Sequence, residues 1–223
     1  MLVSKKYRSP HFEDINIPVE FVILHYTAQT LKGSLDIFLG SKPVSCHLLI
    51  DRDGSVYELA GCWGSSCKKA FHAGQSYFWS VQQEKWKNFN GFSIGIELVN
   101  WNGNIFPFTE EQYHSLFKVL FHLKKIYPAL NNSDRVLGHE HIAGFRGKKD
   151  PGYFFDWQRL FREVYKDSQK TLAPVLTESQ SRSLRFMKKP KRWNDQKARR
   201  ISWLMEQTAI PFWLKKLFFR FLM

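Results

Sequence analysis

Cysteine is scarce: Cys46, Cys62 and Cys67 are the three in 223 residues. They are too few, and odd in number, for a disulfide framework, so a reducing compartment is the simpler expectation. Long apolar runs are missing too. No stretch approaches the roughly 20 apolar residues that cross a bilayer as a helix, which excludes an integral helical membrane protein. Lys5, Lys6 and Arg8 near the start have no apolar stretch behind them. A secretory signal is therefore not expected, and a cytoplasmic location is, with the periplasm or cell envelope as the alternative. There is no internal repeat. Acidic residues are outnumbered, 20 against 33 Lys and Arg. What remains is ordinary: 43% apolar residues suffice for a packed core and argue against wholesale disorder.

The excess positive charge is unevenly spread. Residues 1–165 carry 19 basic and 16 acidic groups, net +3, whereas residues 166–223 carry 14 and 4, net +10. The first part reads as one near-neutral globular domain. Residues 166–183, rich in Ser, Thr and Gln, read as a linker, and 184–223 as a basic aromatic extension that is helical at least in part. A nucleic-acid binder would carry its charge on the folded domain, so no nucleic-acid partner is expected. Within 201–223, Lys215, Lys216 and Arg220 stand among Phe212, Trp213, Leu217 and Phe218. That pattern suits an interfacial helix on an anionic membrane surface, and equally a helix packed on the domain or on a second subunit.

Within the domain, VEFVILHYT (19–27) is a continuous apolar run, the signature of a strand covered on both faces. SCHLLIDRDGSVYELA (45–60) reads as two strands joined at Asp53-Gly54. In FSIGIELVN (92–100), Ile94, Ile96 and Leu98 share one face and Ser93, Gly95 and Glu97 the other. Thr109 and Gln112 form a capping box ahead of a helix that ends at Pro128. RVLGHEHI (135–142) resembles a short strand and 155–165 a closing helix. Strands interleaved with helices predict an α/β fold, with a mixed sheet between helices.

The candidate chemistry lies at strand ends. His25 emerges from a buried strand into a polar turn, although a lone histidine there is more often structural. GHEHIAGFRGKKDPG (138–152) offers His139 and His141 at i, i+2, which a strand would point the same way, and Asp150 eleven residues after His139. Two imidazoles and a carboxylate form a familiar catalytic zinc set that leaves one position for water. The same segment also reads as a solvated charged turn. Glu97 is the one carboxylate in an apolar strand, and either a polar site or solvent would accommodate it.

HYT (25–27), SCHLLIDRDG (45–54), FHAG (71–74), FSIGIELVN (92–100) and GHEHIAGFRGKKDPG (138–152) occur in this order. Together they resemble the zinc-dependent N-acetylmuramoyl-L-alanine amidases, a family that shares its fold with peptidoglycan recognition proteins and amidase-type phage lysozymes. The resemblance covers about residues 8–165. It implies a mixed sheet flanked by helices and a groove for peptidoglycan or soluble muropeptides. It also implies cleavage of the amide between the lactyl group of N-acetylmuramic acid and L-alanine of the stem peptide, in wall turnover or recycling. His25, His139 and Asp150 match the zinc ligands, Glu97 the residue that activates water, and Lys148 the cation that stabilises the oxyanion. His47 and His72 match family histidines near the groove and are expected on the substrate side or just behind the ligands; Tyr77 and Trp79 are expected to stack on sugar faces. The chain departs from the family at His141, where an acidic residue is usual, which makes His141 a rival to His139. A non-catalytic peptidoglycan receptor on the same fold is the competing class, and it has no need of Glu97 and Lys148.

Overall fold

The computed structural model describes residues 2–80 and 84–174. The basic aromatic extension, with its expected membrane-facing helix over 201–223, lies outside the described residues. In chain order the elements are β1 (Val3–Ser4), β2 (Phe12–Asn16), β3 (Phe21–Tyr26), α1 (Leu31–Phe38), β4 (Leu48–Ile50), β5 (Val56–Glu58) and β6 (Lys68–Ala70). They continue with β7 (Tyr77–Trp79), β8 (Lys85–Lys87), β9 (Ser93–Leu98), α2 (Glu110–Ile126), β10 (Val136–Gly138), α3 (His139–Ala143) and α4 (Trp157–Tyr165). Six strands make the main sheet, in the order β1-β5-β4-β9-β3-β10. The β4-β5 pair is antiparallel and the other pairs are parallel, so the sheet is mixed. No helix among the described residues is long and apolar enough to cross a membrane.

Both faces of the central strands are covered, which is why β3 has no polar alternation until His25. One face carries Val22, Leu24, Ile94, Ile96 and Leu98 against Leu116, Leu120 and Leu123 of α2 and Leu160 and Phe161 of α4. The α2 start has both halves of the capping box: Gln112 N–H donates to Thr109 Oγ1 and Thr109 N–H to Gln112 Oε1, each at 3.1 Å. Glu110 and Glu111 in its first turn, with Lys124 and Lys125 in its last, complement the helix dipole. Truncating fully buried Leu120 to alanine would cost about 2–5 kcal/mol.

The opposite face is built differently. Phe21 and Ile23 pack with Phe89, Leu137 and Ile142, and Leu49 and Cys46 pack with Leu35 and Phe38 of α1. Between these two clusters the same face carries Ser93, Gly95, Glu97 and His25. The small and polar residues of β9 therefore mark the floor of a site, at the C-terminal ends of β3 and β9.

Residues 139–142, the second half of the strand expected over 135–142, instead fall in α3. The physical reason lies in the second histidine: His141 Nδ1 accepts the Gly138 N–H at 2.9 Å, closing a helical turn at once. Residues 167–173 run back over the domain. Lys170 pairs with Asp134 and donates to Ser133 Oγ, and His141 Nε2–H donates to Ala173 O at 3.1 Å.

Candidate metal centre and active site

His25 is the penultimate residue of β3, and its register partner across β9 is Glu97. His139 opens α3 directly after β10, the strand on the other side of β3. Asp150 arrives from the following loop, whose backbone is tied to α3 by Glu140 N–H donating to Asp150 O at 2.9 Å. An asparagine ladder holds that loop from behind. Asn102 N–H donates to Asn100 Oδ1, Asn104 N–H to Asn102 Oδ1, and Asn104 Nδ2 to Lys149 O, at 3.0, 2.9 and 3.0 Å. Nothing local in the sequence marked this ladder, because its function depends on a partner segment 45 residues away.

Three atoms converge. His25 Nδ1 and His139 Nδ1 lie 3.1 Å apart, and Asp150 Oδ2 lies 2.9 and 3.0 Å from them. All three residues are buried. This group can hold a metal ion. Two features test the fit. The donor chemistry, two imidazole nitrogens and one carboxylate oxygen on a small triangular face, is that of a three-ligand catalytic metal site. The outer nitrogens are also occupied in the right sense. His139 Nε2–H donates to Ala73 O at 3.2 Å, which leaves its Nδ1 lone pair facing the triangle. The residues fit.

The electrostatics follow from burial. His25 is pushed down to about 4 by burial and by the neighbouring His139, against the pull of Asp150. It is therefore neutral near pH 7, the form in which imidazole binds a metal. Burial alone would raise Asp150, but the two imidazoles beside it hold its carboxyl well below the usual carboxylate range. Glu97 is pushed up to about 8, first by burial and then by the Asp150 charge, and the Lys148 ammonium pulls it partly back. Its Oε2 is buried without a hydrogen-bond partner. A buried carboxylate oxygen left unsatisfied is costly, and one beside a metal-type donor group is a functional feature. Lys148 is half-buried and acts electrostatically on both His25 and Glu97.

Of the residues singled out from sequence, the structure brings His25, His139, Asp150, Glu97 and Lys148 into one neighbourhood. The rival His141 is elsewhere, with both its nitrogens engaged by Gly138 N–H and Ala173 O. His47, expected on the substrate side or just behind the ligands, is fully buried. Its Nδ1 accepts Gly95 N–H at 2.9 Å and its Nε2–H donates to Lys68 O at 2.7 Å, so the backbone uses both nitrogens. His72 lies behind His25, with its Nδ1 at 3.1 Å from His25 Nε2. Tyr77 and Trp79 sit on one face of the β7-β8 hairpin, with Lys87 and Lys85 over their rings. Phe78 and Trp86, on the other face, pack on Phe21. Arg146 was not foreseen: its guanidinium donates to Ala73 O and Gln75 O and clamps the loop that also holds His139.

A donor triangle with a carboxylate and a lysine beside it, at the strand ends of a mixed sheet, is a design of metal-dependent hydrolases. Relatives define which. Residues 16–153 match the N-acetylmuramoyl-L-alanine amidase family, and the chain belongs to it. It is an enzyme, hydrolysing the amide between N-acetylmuramic acid and L-alanine of the peptidoglycan stem peptide; the receptor alternative is set aside. It is 33% identical over 181 residues to the 1,6-anhydro-N-acetylmuramyl-L-alanine amidase AmpD of Haemophilus influenzae, covering 72% of this chain and 91% of that protein. A crystal structure of AmpD has a TM-score of 0.57 to it at 29% identity, covering 74% of this chain and 99% of that one. AmiD from E. coli, solved with the substrate anhydro-N-acetylmuramic acid-L-Ala-D-gamma-Glu-L-Lys, has a TM-score of 0.56 at 24% identity, covering 87% and 81%. At that identity the likeness is one of fold.

Proposed function

We propose that the chain is a zinc-dependent amidase of cell-wall recycling that acts on soluble anhydro-muropeptides. The observation that carries the zinc-dependent mechanism is the unsatisfied Glu97 Oε2 beside the His25-His139-Asp150 triangle. Support for the substrate form comes from the AmpD relative, whose name specifies the 1,6-anhydro sugar.

His25 Nδ1, His139 Nδ1 and Asp150 Oδ2 would hold the ion. Bound there, zinc lowers the pKa of water toward about 7 and polarises the amide carbonyl. The rest falls to the protein. Glu97 accepts a proton from the attacking water as the new C–O bond forms. It then delivers that proton to the L-alanine nitrogen as the C–N bond breaks, so one group serves both steps. A carboxyl raised toward neutral pH suits both taking and returning a proton. The Lys148 ammonium faces the oxyanion of the tetrahedral intermediate, a contribution of a few kcal/mol in such sites. Tyr77 and Trp79 offer aromatic rings to the sugar; Trp79 is 53% exposed, with Lys85 over one face of its ring, so stacking would use the other face.

The test is incubation of the zinc-loaded enzyme with an anhydro-muropeptide and, separately, with intact wall, with products identified by mass spectrometry. Free stem peptide plus intact anhydro sugar, abolished by a chelator, is expected. Release from intact wall alone would overturn the recycling assignment, and chelator-resistant turnover would overturn the metal.

A further inference from the structure

His25 can serve as a metal ligand through Nδ1 only if that nitrogen has no hydrogen, and the residues behind it decide this. Ser93 Oγ–H donates to Phe89 O at 2.6 Å, so toward other neighbours that hydroxyl oxygen can only accept. Ser93 O, a carbonyl, also only accepts. His72 Nε2 lies 3.3 Å from both. In neutral His72 the single ring hydrogen is therefore on Nε2, shared between those two oxygens. Its Nδ1 is left as an acceptor, 3.1 Å from His25 Nε2. The His25 hydrogen then lies on Nε2, and the Nδ1 lone pair points at Asp150 and His139. The reverse assignment would set the His72 Nε2 lone pair against both Ser93 oxygens, and it would put a hydrogen on His25 Nδ1, donated to Asp150 Oδ2 at 2.9 Å, that closes this nitrogen to a metal.

The backbone makes room for this. A Cβ on Gly95 would lie 2.4 Å from His72 Cγ and 2.6 Å from its Nδ1, so the ring occupies the space a side chain would fill. Gly95 is thus a glycine for the sake of the imidazole stacked over β9, beside the Glu97 floor.

We infer that His72 is a positioning residue: with Ser93 it fixes the tautomer of His25 and so presets the metal site before any ion arrives. This rests on the proposed metal assignment. Of the two positions expected for His72, it selects the one behind the ligands, where such outer partners commonly carry a 10–100-fold effect on metal affinity.

Two variants separate this role from packing. His72→Phe fills the space and cannot accept a hydrogen bond. His72→Asn leaves a gap, yet its Oδ1 stands close to where Nδ1 was. Zinc affinity, measured on the full chain by competition with a chelator, should fall about 10–100-fold in His72→Phe and be largely restored in His72→Asn. A packing role predicts the opposite order, and that order would overturn the inference. Nitrogen NMR of the unaltered protein gives a second reading that needs no variant: His72 should carry its hydrogen on Nε2 both with and without zinc. A hydrogen on Nδ1 would sink the relay. Should the wild-type protein bind no zinc while His72 still carries Nε2–H, the metal assignment fails and the tautomer chain stands.

Discussion

His25 on β3 and Glu97 on β9 are direct partners in adjacent parallel strands and project from the same face of the sheet. A parallel register thus places the proposed metal ligand and the proposed proton carrier side by side without help from a loop. Rigid strands hold such a pair more tightly than loops would. Glu97→Gln keeps the shape and removes the proton-accepting capacity. Zinc stoichiometry by metal analysis should stay unchanged, while turnover falls by about 10²–10⁴, the span usual for a general base. A variant retaining a tenth of the activity would remove Glu97 from this role.

The separation of His139 from His141 yields a second expectation. His139→Ala should lose stoichiometric zinc, because it removes one of three donors. His141→Ala should retain zinc and loosen the 170–174 segment, where His141 holds Ala173 O. Faster amide exchange in that segment, with metal content unaltered, is the expected pair of readings. Zinc retained in His139→Ala and lost in His141→Ala would reverse the assignment.

Acid should destabilise the fold through His47. Burial holds this imidazole down at about 4, against 6.5 in the unfolded chain. A depressed histidine pKa favours the neutral folded form, so its contribution is complete above about pH 6.5. It is lost as pH falls from 6.5 toward 4, by up to the order of 3 kcal/mol. The variant His47→Gln should start from a lower urea midpoint at pH 7, since a cavity and a strained contact replace the ring. It should then lose less between pH 6.5 and 4.5 than the wild type. An equal acid loss in both would assign the effect to other groups. His25 and His72 are also depressed by burial, so part of the slope will survive in the variant.

Much of this was legible before the structure because it was periodic. Alternation in 92–100 separated Ile94, Ile96 and Leu98 from Ser93, Gly95 and Glu97, and the structure buries the first set under α2 and α4. Thr109 and Gln112 announced α2 three residues apart, and both hydrogen bonds are there. Period two misled at 139–142. Histidines at i, i+2 share a face only in a strand, and a turn closed by His141 on Gly138 N–H sent the two rings apart. What no local pattern could carry was partnership at a distance. His72 meets His25 across 47 residues and Arg146 meets Ala73 across 73, and both contacts exist only after the sheet has formed. The proposed ligand histidines and His72 stood in motifs, whereas which atom each ring nitrogen meets could not be read from any of them.

Lys148 tests whether the site's charges act on one another as their positions imply. Its ammonium lowers Glu97, whose carboxyl burial and Asp150 otherwise raise. Glu97 must be ionised to take a proton from water, so activity rises with pH through its pKa. Removing the cation in Lys148→Met should move that rising limb of the pH profile to higher pH, because the carboxylate loses a stabilising neighbour. It should also lower kcat, by about 10²–10³ if Lys148 supplies oxyanion stabilisation of the usual size. The two effects are separable. A drop in kcat with an unmoved limb would leave Lys148 facing the oxyanion but deny its hold on Glu97. A moved limb with kcat restored at high pH would assign Lys148 to tuning the base, with the oxyanion stabilised by another group.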